Sequence, residues 1–337
     1  MKRPLATLAG IALVAISGWL APPARFWAAY TASTMFWLSL CGGAAAFVAA
    51  LEITGASWSE WVVEQAESWA RLFFVPALAL AALPLGASHL YPWAQAPVHG
   101  LEVWFAPASV LVRDVLALLV LGGAILWLLN GKPGQRYRRA VSMAMIWAIV
   151  GSLLAWDLIM SLEPGWTSTL FGAYFFVGGL YAGIAAVAVR ALARPARFTP
   201  EASHDLGKLL FGSAMVWGYF LWSQYLVAWY GNLPREAEFW LRRAQSGWAA
   251  LGLLVVAVAF LAPFLTLLSA RFKRSPRALA TLSIVILAGL WAEKVLLLGP
   301  AVRLDAPLPI GLTELAVGIG LSAAVIGLLP APAQRGR

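Results

Sequence analysis

The sequence predicts an all-α polytopic membrane protein of about ten transmembrane helices, and three observations support this fold class. Apolar stretches of about 20 residues recur along the 337-residue chain, and a helix of that length crosses the ~30 Å hydrocarbon core of a bilayer. Hydrophobic residues make up 61% of the chain and charged residues only 12%, against roughly 25% charged residues in soluble domains. Lys and Arg also collect in alternate loops, which is typical of membrane proteins.

We expect one integral membrane domain, residues 1–337, whose apolar spans are separated by short loops. The spans are predicted at residues 5–21, 29–51, 69–88, 108–129, 140–161, 168–190, 206–230, 246–270, 278–299 and 309–329. The first span has an alternative interpretation, because Lys2 and Arg3 before an apolar run that ends at Ala21-Pro22-Pro23 also resemble a signal peptide. The length of this apolar run favours a membrane helix that stays in the mature protein over a cleaved signal peptide.

The distribution of Lys and Arg predicts the orientation of the chain. With a cytoplasmic N-terminus, 17 of the 24 Lys and Arg residues fall on the cytoplasmic side. Basic residues favour that side, so both termini of this multi-pass protein are predicted to be cytoplasmic. The net charge of +9 is then explained by topology and lipid headgroups, and no nucleic-acid partner is expected.

One loop departs from this charge pattern. Residues 52–68 place Glu52, Glu60, Glu64 and Glu67 on the predicted cytoplasmic side. The run Ser57-Trp58-Ser59-Glu60 predicts the start of an amphipathic interfacial helix. The segment is either a solvated loop with aromatic anchors or a docking surface for a partner.

The few cysteine and histidine residues exclude most redox centres from this chain. Cys41 is the only cysteine, so an internal disulfide, iron–sulfur ligation and covalent haem attachment are excluded. The three histidines, His89, His99 and His204, are too few for a two-haem membrane cytochrome. We predict no metal ligands and no catalytic residues here, and any haem or iron–sulfur cofactor would belong to a partner.

Two similar helix ends suggest an internal repeat. Trp156-Asp157 precedes Pro164 in the fifth span, and Trp291 and Glu293 precede Pro300 in the ninth. The similarity suggests two four-helix bundles, spans 2–5 (residues 29–161) and spans 6–9 (residues 168–299). Residues 5–21 and 309–329 would then form two peripheral helices.

Ionisable residues at membrane depth are candidates for function, because burying them is costly. Asp157 and the pair Glu293-Lys294 lie within predicted spans, and Arg113-Asp114 lie one turn into the fourth. Asp157 could instead be an interfacial carboxylate, and Arg113-Asp114 could extend to the surface from a helix end.

The seventh span carries a run of polar residues. The helical spacing places His204, Lys208, Tyr219 and Ser223 near one face. The complete set of candidates for a proton path is Asp157, His204, Asp205, Lys208, Tyr219, Ser223, Gln224, Tyr225, Glu293 and Lys294, with Arg113 and Asp114 in second rank. The same polar face could instead hold helices together through hydrogen bonds.

Two sequence runs resemble a known family. Residues 157–174, DLIMSLEPGWTSTLFGAY, and residues 204–211, HDLGKLLF, are similar to motifs of the second NrfD-like membrane subunit of bacterial alternative complex III. Further matches are Trp217-Gly-Tyr219, Ser223-Gln-Tyr225 and the run WYGNLP at residues 229–234. Gly165 stands where this family usually has His, and the ninth span departs from the family pattern at Ala292-Glu293-Lys294.

The resemblance implies a subunit of a quinol:electron-acceptor oxidoreductase that has no redox centre of its own. Its expected partners are a multihaem cytochrome c, an iron–sulfur protein, a paralogous NrfD-like subunit and lipid. Asp157, His204, Asp205 and Lys208 occupy the motif positions of a proposed proton half-channel. The alternatives are a direct quinol-binding subunit, for which quinone would be the ligand, and a stand-alone secondary transporter built on two repeats.

Overall fold

The computed structural model describes residues 2–56, 60–192 and 198–329, and every regular element in these ranges is a helix. The α-helices are α1 Lys2–Leu20, α2 Pro23–Thr54, α3 Glu60–Arg71, α4 Phe74–Leu80, α5 Ala87–Leu90, α6 Pro92–Gln95, α7 Pro107–Leu129, α8 Arg136–Leu158, α9 Leu170–Val189, α10 Pro200–Gly231, α11 Pro234–Arg243, α12 Ser246–Val256, α13 Ala262–Thr266, α14 Ala270–Lys273, α15 Pro276–Val302 and α16 Leu312–Gly327. Short 3₁₀ turns and one π-helical segment connect some of them.

Seven helical segments within the described residues are long and apolar enough to cross a membrane, which confirms a multi-pass, all-helical architecture. They are Pro23–Thr54, Glu60–Leu90, Pro107–Leu129, Arg136–Leu162, Leu170–Val189, Ser246–Thr266 and Pro276–Val302. The apolar helices Pro4–Leu20 and Leu312–Gly327 are shorter. Helix α10 contains the predicted seventh span and has 32 residues, yet it is not among the seven because its Trp, Tyr, Ser and Gln residues lower its hydropathy.

Helix α2 lies at the centre of the packing and is buried along most of its length. It crosses α9 closely because both helices carry glycine at the contact. A Cβ atom on Gly43 would overlap the backbone of Gly179, and one on Gly183 would lie 2.4 Å from Ala44 N. Small residues four positions apart, as in Gly179 and Gly183, are typical of close helix contacts in membranes.

The remaining helices pack in two groups around this crossing. Helix α2 contacts α3, α4, α7 and α8, whereas α9 contacts α10 and α15, and α12 also contacts α15. Contacts of α15 with α2 and of α8 with α9 join the two groups. Helices α1 and α16 pack on each other where Gly10 meets Gly320, and α16 also lies against α2.

The acidic segment after α2 does not form a detached interfacial helix. Residues 57–59, predicted to start that helix, lie outside the described residues, and α3 buries Trp61, Val62 and Trp69 inside the protein. Arg136 forms ion pairs with Glu52 (3.1 Å) and Glu67 (2.7 Å). Glu52 and Glu67, two of the four acids of this segment, are therefore paired with a basic residue within the protein.

A π-helical segment, Ala257–Leu261, joins α12 to α13. Pro263 has no backbone N–H, so the carbonyl of Ala259 loses its usual partner four residues later. The buried hydroxyl of Tyr181 in α9 donates to this carbonyl at 3.0 Å. The irregular helix is thus stabilised by a hydrogen bond from the neighbouring helix, as nonregular backbone within a membrane requires.

Candidate functional site

Asp157 is the centre of a buried group of polar side chains at the last turn of α8. Its side chain is 0% exposed. Arg113 Nε of α7 donates to Asp157 Oδ2 at 2.7 Å, and Trp104 Nε1 donates to Oδ1 at 3.2 Å. Both carboxylate oxygens therefore accept a hydrogen bond, one of them from a guanidinium group that remains charged at any physiological pH.

Arg113 is itself held in place by the loop before α7. Its NH1 group donates to the Trp104 carbonyl at 3.1 Å, and its guanidinium lies 4.0 Å from the centre of the Trp104 ring. Stacking on an aromatic face and hydrogen bonding to a carboxylate fix the planar guanidinium in one orientation. The second-rank candidate Arg113 is thus the direct partner of Asp157.

Asp114 belongs to the same group but points in another direction, because consecutive helical residues are separated by about 100°. Its side chain is 9% exposed and faces the carboxyl group of Asp157. Asp114 Oδ1 is buried and accepts no hydrogen bond from any residue in the described ranges. Two carboxyl groups therefore share one guanidinium.

A large apolar cavity begins at Asp114. It has a volume of about 940 Å³ and lies between α4, α5 and α7, with Phe73, Leu80, Val115 and Leu118 among its walls. Asp114 and Tyr91 are the polar side chains at its lining. The arrangement places a buried carboxyl group at the wall of a space that accepts an apolar molecule.

Three side chains that sequence reasoning missed support the end of α8. Tyr91 Oη donates to the Leu158 carbonyl at 3.0 Å, and Trp93 Nε1 donates to Ser161 Oγ at 3.0 Å. The Tyr91 and Trp93 rings stack with their centres 4.7 Å apart. Tyr91, Trp93 and Trp104 lie in the connection between two spans, and their spacing in the sequence gives no sign of a shared target.

Glu293 and Lys294 form a separate buried pair in α15. Both are 2% exposed, and Lys294 Nζ lies 2.5 Å from Glu293 Oε2. Tyr174, the last residue of the first family-like run, lies beside the Glu293 carboxyl group. The structure thus brings the candidates into two clusters, one on α7 and α8 and one on α15 and α9.

The polar residues of α10 do not join either cluster. Tyr219 is 64% exposed, and Asp205 and Lys208 form an exposed ion pair of 2.9 Å with each other. Tyr225 is also exposed, whereas His204 and Ser223 are half-buried. This face of α10 is turned outward, so a path from His204 to Asp157 is not continuous within the chain alone and stays a prediction.

Gln224 is the exception on α10. It is buried, and Ser168 Oγ donates to its Oε1 at 3.1 Å. Ser168 belongs to the first family-like run and Gln224 to the further match Ser223-Gln-Tyr225, so these two stretches meet where the start of α9 lies against the second half of α10. A small cavity of about 330 Å³ lies at this contact, next to Trp166 and Glu236.

Helix α11 is fastened to the same end of the molecule by Arg243. NH2 of this buried side chain lies 2.9 Å from Glu163 Oε1, and NH1 donates to the Phe239 carbonyl. Burial lowers the pKa of the Arg243 guanidinium to about 10, against the opposing effect of the Glu163 carboxylate. The side chain stays charged at neutral pH, and it joins α11 to Glu163 after α8 and to the Leu297 carbonyl of α15.

No group of three or more His, Cys, Asp or Glu side chains is placed to bind a metal within the described ranges. No protein-family model and no curated protein matches the chain. The resemblance to a family therefore depends on the sequence runs, to which the structure adds their positions at the ends of α8, α9 and α10.

Proposed function

We propose that the chain is an integral membrane subunit of a respiratory quinol:electron-acceptor oxidoreductase of the alternative complex III type, and that it contributes to proton conduction. The observation that carries the proposal is the buried cluster of Asp157, Arg113 and Asp114. The first family-like run begins at Asp157, and its carboxyl group lies beside a second one. Ionisable groups within a membrane protein are usually kept for ion or proton movement.

The packing supports ten spans arranged as two four-helix bundles. On this proposal α2, α3–α6, α7 and α8 form the first bundle, and α9, α10, α12–α13 and α15 form the second. The first helices of the two bundles, α2 and α9, cross at their glycines. The first helix of each bundle also contacts the last helix of the other bundle, α2 with α15 and α9 with α8. Helices α1 and α16 are peripheral, both termini are cytoplasmic, and Asp157 lies towards the periplasmic side.

Proton exchange in this cluster is assigned to Asp114. Arg113 supplies one permanent positive charge, which balances the charge of Asp157 through a 2.7 Å hydrogen bond. Asp114 has no cation of its own and faces the cavity, so it takes up and releases a proton without breaking the Arg113–Asp157 pair. The outward-facing Asp205, Lys208 and Tyr219 of α10 would contribute only where another subunit covers this helix.

The redox cofactors of such a complex belong to its other subunits. The proposed partners are a multihaem cytochrome c, an iron–sulfur protein, a paralogous NrfD-like subunit and the surrounding lipid. This chain would supply the membrane part and no electron carrier, so it has no catalytic residues of its own.

The first experiment is a gentle detergent pull-down of the tagged chain from its native membrane. Mass spectrometry and haem absorbance should identify a multihaem cytochrome and an iron–sulfur protein in the eluate. A chain that is recovered alone would overturn the assignment.

The proton-conducting role is tested in the isolated complex. D114N should reduce proton movement more than quinol oxidation, because the protonatable group is lost and the Arg113–Asp157 pair remains. The same difference is expected for D157N, because the freed Arg113 would then hold Asp114 in its charged form, and D305N in the exposed connection between α15 and α16 is the matched control with no effect. An equal loss of both activities in D114N and D157N would contradict a role in proton conduction.

The cavity favours a second candidate function, direct binding of a quinol. Its apolar walls suit an isoprenoid tail, and Asp114 would accept the hydrogen bond of a quinol hydroxyl and then its proton. V115W should fill this cavity and raise the KM for quinol. V112W, also exposed on α7 but outside the cavity wall, is the control, and an unchanged KM in V115W would eliminate this candidate.

A further inference from the structure

Asp157 and Glu293, two of the buried acids in the described ranges, differ in the cation with which they pair. Asp157 is bonded to the guanidinium of Arg113, whereas Glu293 lies against the ammonium of Lys294. An arginine does not release its proton in proteins, but a buried lysine can do so. The Asp157 pair is therefore a fixed pair of charges, and the Glu293 pair is able to exchange protons.

Asp157 and Glu293 also differ in the number of their carboxyl oxygens that accept a hydrogen bond. Both oxygens of Asp157 accept hydrogen bonds, from Arg113 and Trp104. At Glu293 only Oε2 is engaged, and Oε1 is buried with no hydrogen bond from any other side chain that the structure describes. The Tyr174 hydroxyl of α9 lies beside this carboxyl group, and Lys294 Nζ lies 5.2 Å from the centre of the Phe175 ring.

On α9, Tyr174 is the titratable group that faces the Glu293–Lys294 pair. Trp217 of α10 is buried near Tyr174, with ring centres 5.8 Å apart, and has no ionisable group. Arg243 of α11 reaches the Leu297 carbonyl one turn further along α15, but its charge is balanced by Glu163. Other Asp, Glu, His, Lys and Arg side chains on the elements packed against α15 lie near helix ends and are Arg25 and Glu52 of α2, Arg190 after α9, Glu201, His204, Asp205 and Lys208 of α10, Arg235, Glu236, Glu238 and Arg242 of α11, and Arg271 and Lys273 of α14.

We propose that Glu293 and Lys294 form a proton relay in which the buried site keeps a net charge of zero. A proton arrives at Glu293 Oε1 from the Tyr174 hydroxyl, which takes up another proton in its place. The Lys294 ammonium releases a proton to a water molecule at the same time, so the pair becomes a carboxylic acid and a neutral amine. Rotation of the carboxylic acid turns its proton towards the amine, and transfer of this proton to Lys294 Nζ restores the ion pair, with one proton passed from Tyr174 to water.

Charge neutrality is the physical reason for this order of steps. A lone charge in an apolar interior is strongly disfavoured, and a relay through one carboxyl group would create one at each passage. Two adjacent groups of opposite charge avoid that barrier. The relay rests on the proposed proton-conducting function and adds a second site to it, in the second helix group.

The relay can be tested on the purified full-length chain without redox partners, so its failure is distinguishable from a failed pull-down. The chain is reconstituted in liposomes, a pH gradient is imposed, and a trapped pH dye reports proton flux. K294R keeps the positive charge but has no proton to release, so flux should fall by about tenfold or more. K132R, at the exposed Lys132 in the loop between α7 and α8, is the matched control and should conduct as the wild type does.

Two further variants separate a relay from a structural ion pair. E293Q should lower the flux similarly, and the infrared difference spectrum between the wild type and E293Q should contain the carboxylate stretching band of the resting ion pair. The double variant E293L/K294M should fold, because apolar replacement of both partners of a buried ion pair is often neutral, and it should not conduct. Unchanged flux in K294R or in the double variant, or wild-type flux equal to that of empty liposomes, would overturn the relay.

Discussion

Arg113 and Asp157 show how much the stability of a buried charge depends on its partner. R113A leaves the Asp157 carboxylate, which is 0% exposed, without its cation. Breaking a buried pair from one side costs about 3–5 kcal/mol, whereas replacing both partners by apolar residues is often neutral. We therefore expect a markedly lower midpoint of thermal unfolding in detergent for R113A, and a recovery of most of that loss in R113M/D157L.

R235A provides the comparison, since Arg235 lies on the exposed face of α11. Its midpoint should equal that of the wild type. A loss in R113M/D157L as large as that in R113A would show that specific hydrogen bonds, rather than an uncompensated charge, determine the stability of this site.

Tyr181 provides a second prediction at the level of a single residue. Its hydroxyl is the partner of the Ala259 carbonyl in the π-helical segment, so Y181F leaves a buried carbonyl without a donor. Such a group costs about 1–3 kcal/mol, and we expect a corresponding decrease in the free energy of unfolding in detergent. Y219F changes an exposed hydroxyl and should have no effect, and equal stability of the two variants would contradict the assigned role of Tyr181.

The sequence identified the buried ionisable residues but not their partners. Asp157 and Glu293 stand out because carboxyl groups are rare in apolar stretches. Arg113 and Trp104 contact Asp157 from 44 and 53 positions away, and hydropathy says nothing about which helix faces which. The outward direction of the polar face of α10 was not predictable for the same reason, since helical spacing predicts a common face but not its direction.

At the scale of the helices, the close contact between α2 and α9 depends on glycine residues, and this dependence can be tested directly. G183L adds a side chain where a Cβ already lies 2.4 Å from Ala44 N of α2, so α9 must move away from α2. Overpacking of this kind costs about 1–3 kcal/mol or more, and we expect aggregation or a lowered yield of folded protein in size-exclusion chromatography.

G212L is the matched control on α10, because nothing lies within 4 Å of a Cβ built at Gly212. It should give the wild-type elution profile. If G183L also elutes as the wild type does, the α2–α9 crossing does not depend on the small residues.

Element boundaries followed from the sequence where one helix fills one apolar stretch. Helices α7, α8 and α15 cover the predicted spans 108–129, 140–161 and 278–299 closely. The prediction was less successful where polar contacts inside the protein replaced contacts with lipid. Helix α3 buries Trp61 and Trp69, and Trp69 Nε1 donates to the Ala186 carbonyl at 3.0 Å. Amphipathic spacing alone does not distinguish such an internal face from a surface one.

At the scale of the whole molecule, ion pairs lie near both ends of the helices. Arg136 pairs with Glu52 and Glu67 near one end of α8, and Arg243 pairs with Glu163 just beyond the other. Glu314 at the start of α16 is bonded by Arg25 of α2 at 2.7 Å and lies 3.4 Å from Arg303 after α15. These ion pairs fasten the peripheral helix α16 to the two groups, which hydropathy could not predict.

The distribution of Lys and Arg over the loops predicts the orientation of the molecule in the membrane, and this orientation can be tested by labelling. Cys41 is the only cysteine and is fully buried, so a C41A background permits labelling at new single sites. His99 lies in the connection between α6 and α7 with its side chain fully exposed, and Gly134 lies in the basic loop between α7 and α8 with open space around it. If basic loops are cytoplasmic, H99C in intact cells should react with a membrane-impermeant maleimide, and G134C only after the membrane is opened. The reverse pattern would place Asp157 towards the cytoplasm and invert the proposed direction of proton movement, whereas labelling of both sites in intact cells would contradict a membrane span in α7.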